Sequence, residues 1–544
     1  MKKTLFILMG FVLLFSLLLG ACGKTTPATT PAKTTPAATT TAATTPKVTA
    51  TTAPASTPTV IATPATKEGN YGGTLKVIYT GSPVNVGYSA KQSFADASVG
   101  TQWSERILEL KTDGGFYPSL AESYDYSSDL KTVTLHLRKG VKFHDGTPWN
   151  AAAAVWNFKQ CLSTGALGGS KYIVSIEATD EYTVVVKLNA AFNQMIYNLA
   201  RVYMYSPTAF QKNGETWAIN NCVSTSAFRV TSFQRDVAVK MEKFADYWRP
   251  GRPYLDFVEF GTVKDPATCS AIMQSGQVNA WMTSTAQETA DLKAKGFKIV
   301  QTPTTYNVIY PDSIDPTSPF ANKKVREAVE YAIDRPAMAK ALGFGFMLAL
   351  DQPTHPGTAG YNPNFPVRAF NPAKAKQLLA DAGYSKGFQT KMIVQPTQVN
   401  MGTVCKNYLD AVGINVELDV ADTGRFWGAI NGGWKGLLLG PLAVNPQFCV
   451  AWLDHVGPMP LNKFASMGKT PEYLAICTKV VEAPDVAAMQ KLTMDMVTKA
   501  GEDAMLIPLT LNLGTSVFNP NFHTGYYTTV DWTYWQNYND YWEK

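Results

Sequence analysis

Residues Ser119–Phe158 read SLAESYDYSSDLKTVTLHLRKGVKFHDGTPWNAAAAVWNF, and this stretch has the clearest structural pattern in the chain. Along Leu130–Leu137 apolar and polar side chains alternate, which predicts a half-buried strand. Asp145-Gly146 tolerates positive φ and predicts a tight turn. Asn150 is a suitable N-cap for a helix that starts in the alanines after it. The stretch therefore predicts a strand, a turn and a helix packed together, without residues suited to catalysis.

The length and composition of the chain are those of a globular protein with several domains. It has 544 residues, of which 45% are hydrophobic and 17% are charged. Such a chain can bury large cores, and we expect about two or three domains. The formal net charge is +6, and lysine and arginine form no run longer than a pair. This distribution gives no support to nucleic-acid binding.

The first 21 residues have the pattern of an export signal. A short basic start precedes the apolar run Leu5–Leu19, which is shorter than the roughly 20 residues of a transmembrane helix. An uncleaved anchor helix is the alternative. Leu19–Cys22 resembles a bacterial lipobox, in which the signal is cut before a cysteine that is then lipidated. The resemblance implies a signal peptide over 1–21 and a lipid anchor at Cys22, on the outer face of the cell membrane.

Residues 22–69 consist mainly of Thr, Ala and Pro and contain no aromatic residue. A segment of this composition cannot bury enough apolar surface to offset the entropy lost on ordering. We therefore expect a disordered tether between the lipidated cysteine and the folded part. The density of Thr and Pro is also typical of O-glycosylated stalks.

Several stretches match, in order, the sequence motifs of one protein family. Phe244–Phe260 reads FADYWRPGRPYLDFVEF, Pro319–Arg335 reads PFANKKVREAVEYAIDR, and Phe370–Gly383 reads FNPAKAKQLLADAG. Together with Ser119–Phe158, they resemble the extracellular solute-binding proteins of peptide-type ABC transporters, the dipeptide, oligopeptide and nickel-binding family. The likeness runs from about Tyr71 to Leu509.

The resemblance implies an α/β fold with two lobes, like that of class II periplasmic binding proteins, and an extra inserted α/β domain in the first lobe. Lobe 1 would combine residues 70–105, 205–307 and 508–544, the inserted domain would be 106–204, and lobe 2 would be 308–507. The crossings between the lobes would lie near Pro303–Tyr306 and near Ile507-Pro508.

The function that the resemblance implies is ligand capture without catalysis. A monomer with no cofactor would bind a peptide or another small organic solute between its lobes and deliver it to the permease of an ABC importer. An oligosaccharide- or metal-chelate-binding member of the same family is one alternative. A surface-tethered hydrolase that has kept the fold is an alternative of another class.

Motifs of enzymes and metal sites are missing or incomplete in the sequence. Gly468-Lys469-Thr470 lacks the first glycine of a P-loop, no G-x-S-x-G elbow occurs, and the five histidines form no HExxH pair. None of these patterns predicts a catalytic or metal site. Six further cysteines permit disulfides but are interpreted as buried thiols: Cys161, Cys222, Cys269, Cys405, Cys449 and Cys477.

The segment Gly436–Pro446, GLLLGPLAVNP, departs from the family pattern where a ligand contact is expected. Peptide-binding members hold the ligand's α-amino group with an acid in this neighbourhood, but no carboxylate lies between Asp422 and Asp454. An ammonium in a closed cleft needs an opposite charge. We therefore expect a neutral or differently charged ligand, unless another segment supplies the acid.

The candidate ligand-binding residues lie near this segment or near the first crossing between lobes. Aromatic and amide side chains suit clefts that are mostly apolar and hold their ligand through a few polar groups. Burial in a core is the alternative for each tryptophan. The candidates are Tyr306, Asn307, Trp427, Trp434 and Asn445.

Overall fold

The computed structural model describes residues 69–111, 115–444 and 464–524, together with 527–528, 534–535 and 539–542. These residues belong to one compact unit. The predicted signal peptide, Cys22 and nearly all of the predicted tether lie outside them. Within the described ranges, we find no helix with both the length and the apolar content needed to cross a bilayer.

The strands are, in chain order, β1 (Thr74–Tyr79), β2 (Leu108–Leu110), β3 (Phe116–Pro118), β4 (Ala121–Tyr126), β5 (Thr132–Leu137), β6 (Ile173–Asp180), β7 (Thr183–Leu188), β8 (Phe228–Gln234), β9 (Ala238–Lys243), β10 (Phe257–Thr262), β11 (Ala280–Ser284), β12 (Lys298–Pro311), β13 (Met347–Ala349), β14 (Phe388–Val394), β15 (Ile414–Val420), β16 (Leu437–Ala443), β17 (Ile507–Phe518), β18 (Phe522–His523), β19 (Tyr527–Thr528), β20 (Tyr534–Trp535) and β21 (Tyr541–Trp542).

The α-helices are α1 (Phe94–Gly100), α2 (Ala151–Ser163), α3 (Met195–Ala200), α4 (Pro207–Asn213), α5 (Glu215–Asn220), α6 (Pro266–Gln274), α7 (Ala286–Ala294), α8 (Lys323–Ala332), α9 (Arg335–Gly343), α10 (Pro372–Asp381), α11 (Val399–Asp410), α12 (Thr423–Gly432), α13 (Pro471–Val481) and α14 (Val486–Glu502). Short 3₁₀ turns occur at Ser89–Lys91, Ser170–Tyr172, Pro319–Ala321 and Pro396–Gln398.

The elements predicted within Ser119–Phe158 are confirmed. In β5, Val133 and Leu135 are fully buried, as the alternation predicts. Gly146 has a φ of 81°, which the tight turn requires. The Asn150 side chain caps α2 by accepting a hydrogen bond from the Ala153 N–H at 3.0 Å. Local sequence chemistry therefore determines this part of the fold.

A separate four-stranded antiparallel sheet is formed by β4, β5, β7 and β6, in that order. Helix α2 packs on it, and Phe143, Trp149 and Phe158 are fully buried in the apolar cluster beneath. The strands of this sheet and α2 all lie within 106–204, the range that the family resemblance assigns to the inserted domain.

The largest sheet runs in the order β15, β14, β16, β12, β17, β11, β1, β10, β9 and β8. Its two long central strands, β12 and β17, are antiparallel and paired from Lys298–Phe518 at one end to Ile309–Ile507 at the other. The short strand β13 pairs with the same β17 residues at Thr510 to Asn512. The central pair therefore connects the two halves of the sheet.

Parallel strands on the two sides of this central pair point towards each other. On one side β16 ends at Ala443, which pairs with Thr305, and β14 runs parallel to β16 and β15 parallel to β14. On the other side β11 ends at Ser284, which pairs with Thr515, and β1 runs parallel to β11 and β10 parallel to β1. Two sets of carboxyl ends therefore converge on the middle of β12 and β17.

A buried carboxylate joins the segment before β2 to the motif between β9 and β10. Glu105 accepts hydrogen bonds from Thr225 Oγ1 at 2.8 Å, Tyr247 OH at 2.7 Å and Trp248 Nε1 at 2.9 Å. Arg249 stacks on Trp248, 4.2 Å from the ring centroid. Burial raises the pKa of Glu105, while Arg249 and the three donors act in the opposite direction. We call these five residues the Glu105 cluster.

His144 is attached to the same region through the turn that contains Thr225. Its Nε2 lies 2.9 Å from the Ser226 carbonyl oxygen and its Nδ1 accepts from the Ser224 N–H at 3.4 Å. Burial lowers the pKa of His144 to about 4, so the imidazole is neutral at neutral pH. Asp145 accepts from Ser206 Oγ at 2.6 Å. Both side chains stabilise loops.

A second buried carboxylate joins α8, α9 and β17. Glu330 lies 3.1 Å from Arg368 Nη1 and 4.0 Å from Arg335 Nη2. Arg335 Nε also donates to the Pro508 carbonyl at 2.7 Å. Arg368 Nη2 pairs with Glu327 at 3.1 Å. Glu327, Glu330, Arg335 and Arg368 form the Glu330 cluster, which holds β17 to the helices beside it.

The cysteines among the described residues are free thiols in the interior, as the sequence interpretation expects. None of them pairs with another within those ranges. Cys449 lies outside the described residues. The buried thiols are Cys161, Cys222, Cys269, Cys405 and Cys477.

Candidate ligand-binding cleft

The converging carboxyl ends define the candidate site. In open α/β sheets, ligands bind in the crevice outside the carboxyl ends of parallel strands, because loops and helix starts supply polar groups there. This chain brings two such sets of ends to one place, with the middle of β12 and β17 between them. We call this place the cleft and the stretch 302–307 with 510–515 its floor.

A row of amide and hydroxyl side chains lies on the floor of the cleft. Asn307 Nδ2 donates to Thr510 Oγ1 at 3.0 Å and to Asn512 Oδ1 at 2.9 Å. Asn307 and Thr510 are buried, whereas Asn512 is only partly buried. Asn307 therefore acts mainly by orienting Asn512, which is the member of the row that solvent reaches.

The pairing of the floor strands is irregular. The register between β12 and β17 shifts between Pro303 and Thr305 and again between Asn307 and Val308. Such bulges increase local twist and bend a strand pair. Gly514 is required here, because an added Cβ would lie 2.4 Å from Thr304 Cγ2. The backbone is therefore bent and tightly packed where the two halves of the sheet meet.

Tyr306 lies on the opposite side of β12 from Asn307 and is fully buried. Its hydroxyl is 2.7 Å from His355 Nδ1. Burial lowers the pKa of His355 to about 4 and raises that of Tyr306 above its ordinary range, so both groups are neutral at neutral pH. The hydrogen bond ties the loop after β13 to the floor. The predicted residue Tyr306 is therefore a support beneath the floor.

Trp427 lies on α12, which begins directly after the carboxyl end of β15. Its side chain is 37% exposed. The charged groups beside it are already paired, because Arg425 makes contacts of 2.8 and 2.6 Å with Asp419. Asp422 caps α12 by accepting from the Arg425 N–H. Trp427 is therefore an exposed aromatic side chain on the helix that follows this edge of the sheet.

The structure separates Trp434 from the other candidates. Trp434 precedes the amino end of β16, at the opposite end of that strand from the cleft. It is 6% exposed, its Nε1 donates to the Tyr310 carbonyl at 3.2 Å, and its ring packs edge-on against Phe464. Trp434 is thus a core residue here. Asn445 lies outside the described residues.

Sequence reasoning missed Thr510, Asn512 and His355 as members of this region. Thr510 and Asn512 alternate with apolar residues in the β17 sequence LTLNLG, and this pattern could have marked a two-faced strand. Nothing in the sequence pairs Asn512 with Asn307 or His355 with Tyr306. Among the described residues, no three His, Cys, Asp or Glu side chains could share a metal ion.

Comparison with known proteins places the chain in a family. Residues 115–446, more than half of the chain, match the bacterial extracellular solute-binding proteins, family 5 Middle. The protein belongs to this family. It is therefore a solute-binding protein, and its role is to bind a substrate for an ABC importer.

Individual relatives of this family 5 protein agree with the assignment. It is 29% identical to the glutathione-binding protein GsiB of Shigella flexneri over 469 residues, 82% of this chain and 90% of the relative. HbpA2 from Haemophilus parasuis has a TM-score of 0.78 at 21% identity, covering 87% of this chain and all of that one. DppA from Helicobacter pylori, solved with the peptide STSA, has a TM-score of 0.71 at 21% identity, covering 87% and 99%.

These likenesses confirm the predicted fold class. The chain has the two-lobed α/β fold of periplasmic binding proteins, with an extra inserted α/β domain. The family and its relatives are binding proteins of ABC transporters, not enzymes.

Proposed function

We propose that this family 5 protein captures a peptide or a peptide-like small organic solute between two closing lobes and presents it to its permease. The observation that carries the proposal is the convergence of the carboxyl ends of β1, β10 and β11 with those of β14, β15 and β16. A ligand held between the two sets would touch both halves of the sheet. Binding and closure would then be one event.

The lobe boundaries are part of the proposal. Lobe 1 comprises 70–105, 205–307 and 508–544, the inserted domain is 106–204, and lobe 2 is 308–507. The first crossing lies in β12 at Pro303–Tyr306, where the register is irregular. In the pairing with β17, Tyr306 faces Leu511 and Pro303 faces Leu513. We therefore propose that the second crossing lies at about Thr510–Leu513, which moves the boundary between the lobes in β17 a few residues beyond Ile507-Pro508.

The described side chains around the cleft favour a ligand whose surface is uncharged or carries charges that cancel each other. Asn512 offers an amide and Trp427 an indole, while Arg425 and Asp419 neutralise each other. Peptide groups suit such a lining, because they present one donor and one acceptor per residue and carry no charge. The α-ammonium of a peptide ligand would be balanced by an acid from a segment other than Gly436–Pro446. The name of GsiB and the peptide bound to DppA support the same ligand class.

The proposal also includes export and anchoring. Cleavage before Cys22 and lipidation of its thiol would fix the protein to the outer face of the membrane, with residues 22–69 as a flexible tether. The lipobox-like sequence supports this arrangement. The protein would act as a monomer whose partners are its ligand, the permease subunits and, through the anchor, the membrane.

A thermal-shift screen of the full chain tests the ligand class. The panel contains glutathione, the tetrapeptide Ser-Thr-Ser-Ala, an oligosaccharide and a metal chelate. A ligand that binds only the native state stabilises it by about 2.7 kcal/mol at a hundredfold excess over its dissociation constant. We expect shifts with glutathione or the tetrapeptide. If only the sugar or the chelate raises the melting temperature, the ligand belongs to that class and not to the peptides. Turnover of any compound would contradict a pure binding role.

A matched pair of variants tests the position of the site. Trp427→Ala removes an exposed indole at the cleft edge, whereas Phe257→Ala removes an exposed ring at the amino end of β10, away from the cleft. One aromatic contact contributes about 0.5–1.5 kcal/mol beyond its buried area. We expect Trp427→Ala to weaken binding of the active compound by about two- to tenfold and Phe257→Ala to leave it unchanged. Equal affinities would place the ligand elsewhere.

A further inference from the structure

An asparagine of the inserted domain binds the end of a lobe 2 helix, beside apolar side chains that the two segments share. Asn193 lies in the loop between β7 and α3. Its Nδ2 donates to the carbonyl oxygens of Val480 at 2.9 Å and Ala483 at 3.1 Å, and its backbone N–H lies 3.5 Å from the Val481 carbonyl oxygen. These carbonyls are at the C-terminal end of α13. A single residue therefore makes three contacts with a segment almost 300 positions away in the chain.

The last carbonyls of a helix have no partner within the helix, and a partner must come from elsewhere. At the end of α13 the Glu482 N–H donates to the Thr478 carbonyl oxygen. The Ala483 N–H lies 3.4 Å from the Val480 carbonyl oxygen, which is long for a hydrogen bond. The Asn193 side chain supplies a shorter hydrogen bond, 2.9 Å, to the same Val480 carbonyl oxygen. The C-cap of α13 therefore comes in part from a different domain.

The loop that carries Asn193 is held firmly on its own side. The Tyr126 hydroxyl donates to the Asn193 carbonyl at 3.0 Å and accepts from the Ile196 N–H at 3.0 Å. Tyr197 of the same region belongs to an apolar cluster that also contains Val480 and Ala483. The asparagine is thus presented to α13 by a fixed support and not by a free loop.

We propose that Asn193 is a closure latch, a residue that favours the closed arrangement of the lobes without touching the ligand. This inference rests on the proposed lobe boundaries, because they put Asn193 on the lobe 1 side and the end of α13 in lobe 2. Opening the lobes would break the contact and return the α13 carbonyls to water. Ligand affinity then depends on Asn193 through the closed population.

The hydrogen bonding of Asn193 both favours and opposes the closed arrangement. Asn193 Oδ1 is buried and has no hydrogen-bond partner among the described residues. Closure gains two side-chain hydrogen bonds but leaves one acceptor unsatisfied, whereas opening would hydrate all of these groups. A contact with opposing contributions biases closure without making it permanent, which suits a protein that must give its ligand to a permease.

Three variants of the full chain test the latch. Asn193→Ala removes both donors, and Asn193→Asp places a carboxylate against the negative end of the α13 dipole. Asn189→Ala is the matched control, because the Asn189 side-chain amide also donates to a carbonyl, that of Lys171 at 3.0 Å, but within the inserted domain. Hydrogen exchange of peptides covering 476–486 and 189–197 is measured with and without glutathione and the tetrapeptide. Dissociation constants and dissociation rates are measured alongside.

We expect both Asn193 variants to speed exchange at the end of α13, with Asp exceeding Ala. They should weaken binding by about five- to thirtyfold, mainly through faster dissociation, while the ligand-free melting temperature matches that of Asn189→Ala. Unchanged exchange at 476–486 in every condition would overturn the latch. Altered exchange in a protein that binds neither compound would support the latch and contradict the proposed ligand class. If Asn189→Ala has an equal effect, the Asn193 variants act only by destabilising the loop, and the proposal is overturned.

Discussion

The Glu105 and Glu330 clusters both bury a carboxylate beside a family-specific motif, yet they stabilise it in different ways. Glu330 is paired with the guanidinium groups of Arg335 and Arg368. Glu105 is held by a hydroxyl, a phenol and an indole, while Arg249 beside it forms its own pair with Glu109 at 3.0 Å. The Glu330 cluster is an ionic network, and the Glu105 cluster is mainly a set of neutral donors.

The difference predicts how each region responds to mutation and to pH. Removing one member of a buried ion pair leaves an uncompensated charge in the interior. Removing a carboxylate from a set of neutral donors leaves only unsatisfied hydrogen bonds, which cost less. The Glu330 cluster, bonded to the β17 backbone next to the proposed crossing, should therefore be the less tolerant of the two.

The largest effect is expected for Glu330→Gln. The substitution keeps the shape but takes the Glu330 charge away from the buried Arg335 and from the partly buried Arg368, which keeps only Glu327. The free energy of unfolding should fall by about 3–5 kcal/mol. Urea denaturation of the full chain measures it. A loss no larger than that of Glu105→Gln would show that the two clusters do not differ as described.

Acid should weaken the region of the Glu105 cluster through His144. The pKa of His144 is about 4 in the folded protein, below its ordinary value of 6.5. Above pH 6.5 both folded and unfolded states hold a neutral imidazole; as the pH falls from 6.5 to 4, only the unfolded state gains the proton, so stability is lost. The loss should approach about 3 kcal/mol near pH 4.

Denaturation at a series of pH values from 7 to 4 measures this slope. His144→Gln cannot titrate, so its stability should fall less steeply over the same range, whatever its stability at pH 7. His355, whose pKa is also about 4, contributes a similar slope and serves as the comparison through His355→Gln. Identical slopes for the wild type and His144→Gln would contradict the assignment of a neutral buried imidazole.

A smaller effect is expected for Glu105→Gln. Three donors point at the carboxylate, and the glutamine amide nitrogen cannot accept any of them, so at least one buried donor loses its partner. The free energy of unfolding should fall by about 1–3 kcal/mol. Urea denaturation of the full chain measures it. A loss comparable to that of Glu330→Gln would mean that Glu105 is ion-paired in effect.

The smallest effect is expected for Arg425→Ala, which removes a solvent-exposed ion pair with Asp419. Exposed pairs contribute about 0.2–1 kcal/mol, so the variant provides the baseline against which both clusters are judged. The same urea series measures it. A loss above that of Glu105→Gln would show that exposure is a poor guide to the strength of ion pairs in this chain.

Much of the local structure was predictable because its causes are local. The alternation in β5, the cap at Asn150 and the buried face of α8, with Val325, Ala328 and Val329, follow from side chains within a few residues of each other. The order of the family stretches identified the fold class. The cleft residues were harder, and Trp434 was predicted beside the ligand although the structure places it in a core.

The sequence by itself determined the class of protein, its two-lobed α/β fold and the elements whose signals span one turn or one strand. Only the tertiary structure decided which side chains meet: Asn307 with Asn512, Tyr306 with His355, Glu105 with Thr225 and Tyr247, and Asn193 with the end of α13. These contacts depend on strand register and domain placement, which the whole chain sets by burying its cores. No local pattern carries that information, because partners some 50 to nearly 300 residues apart are brought together only when the entire sheet forms.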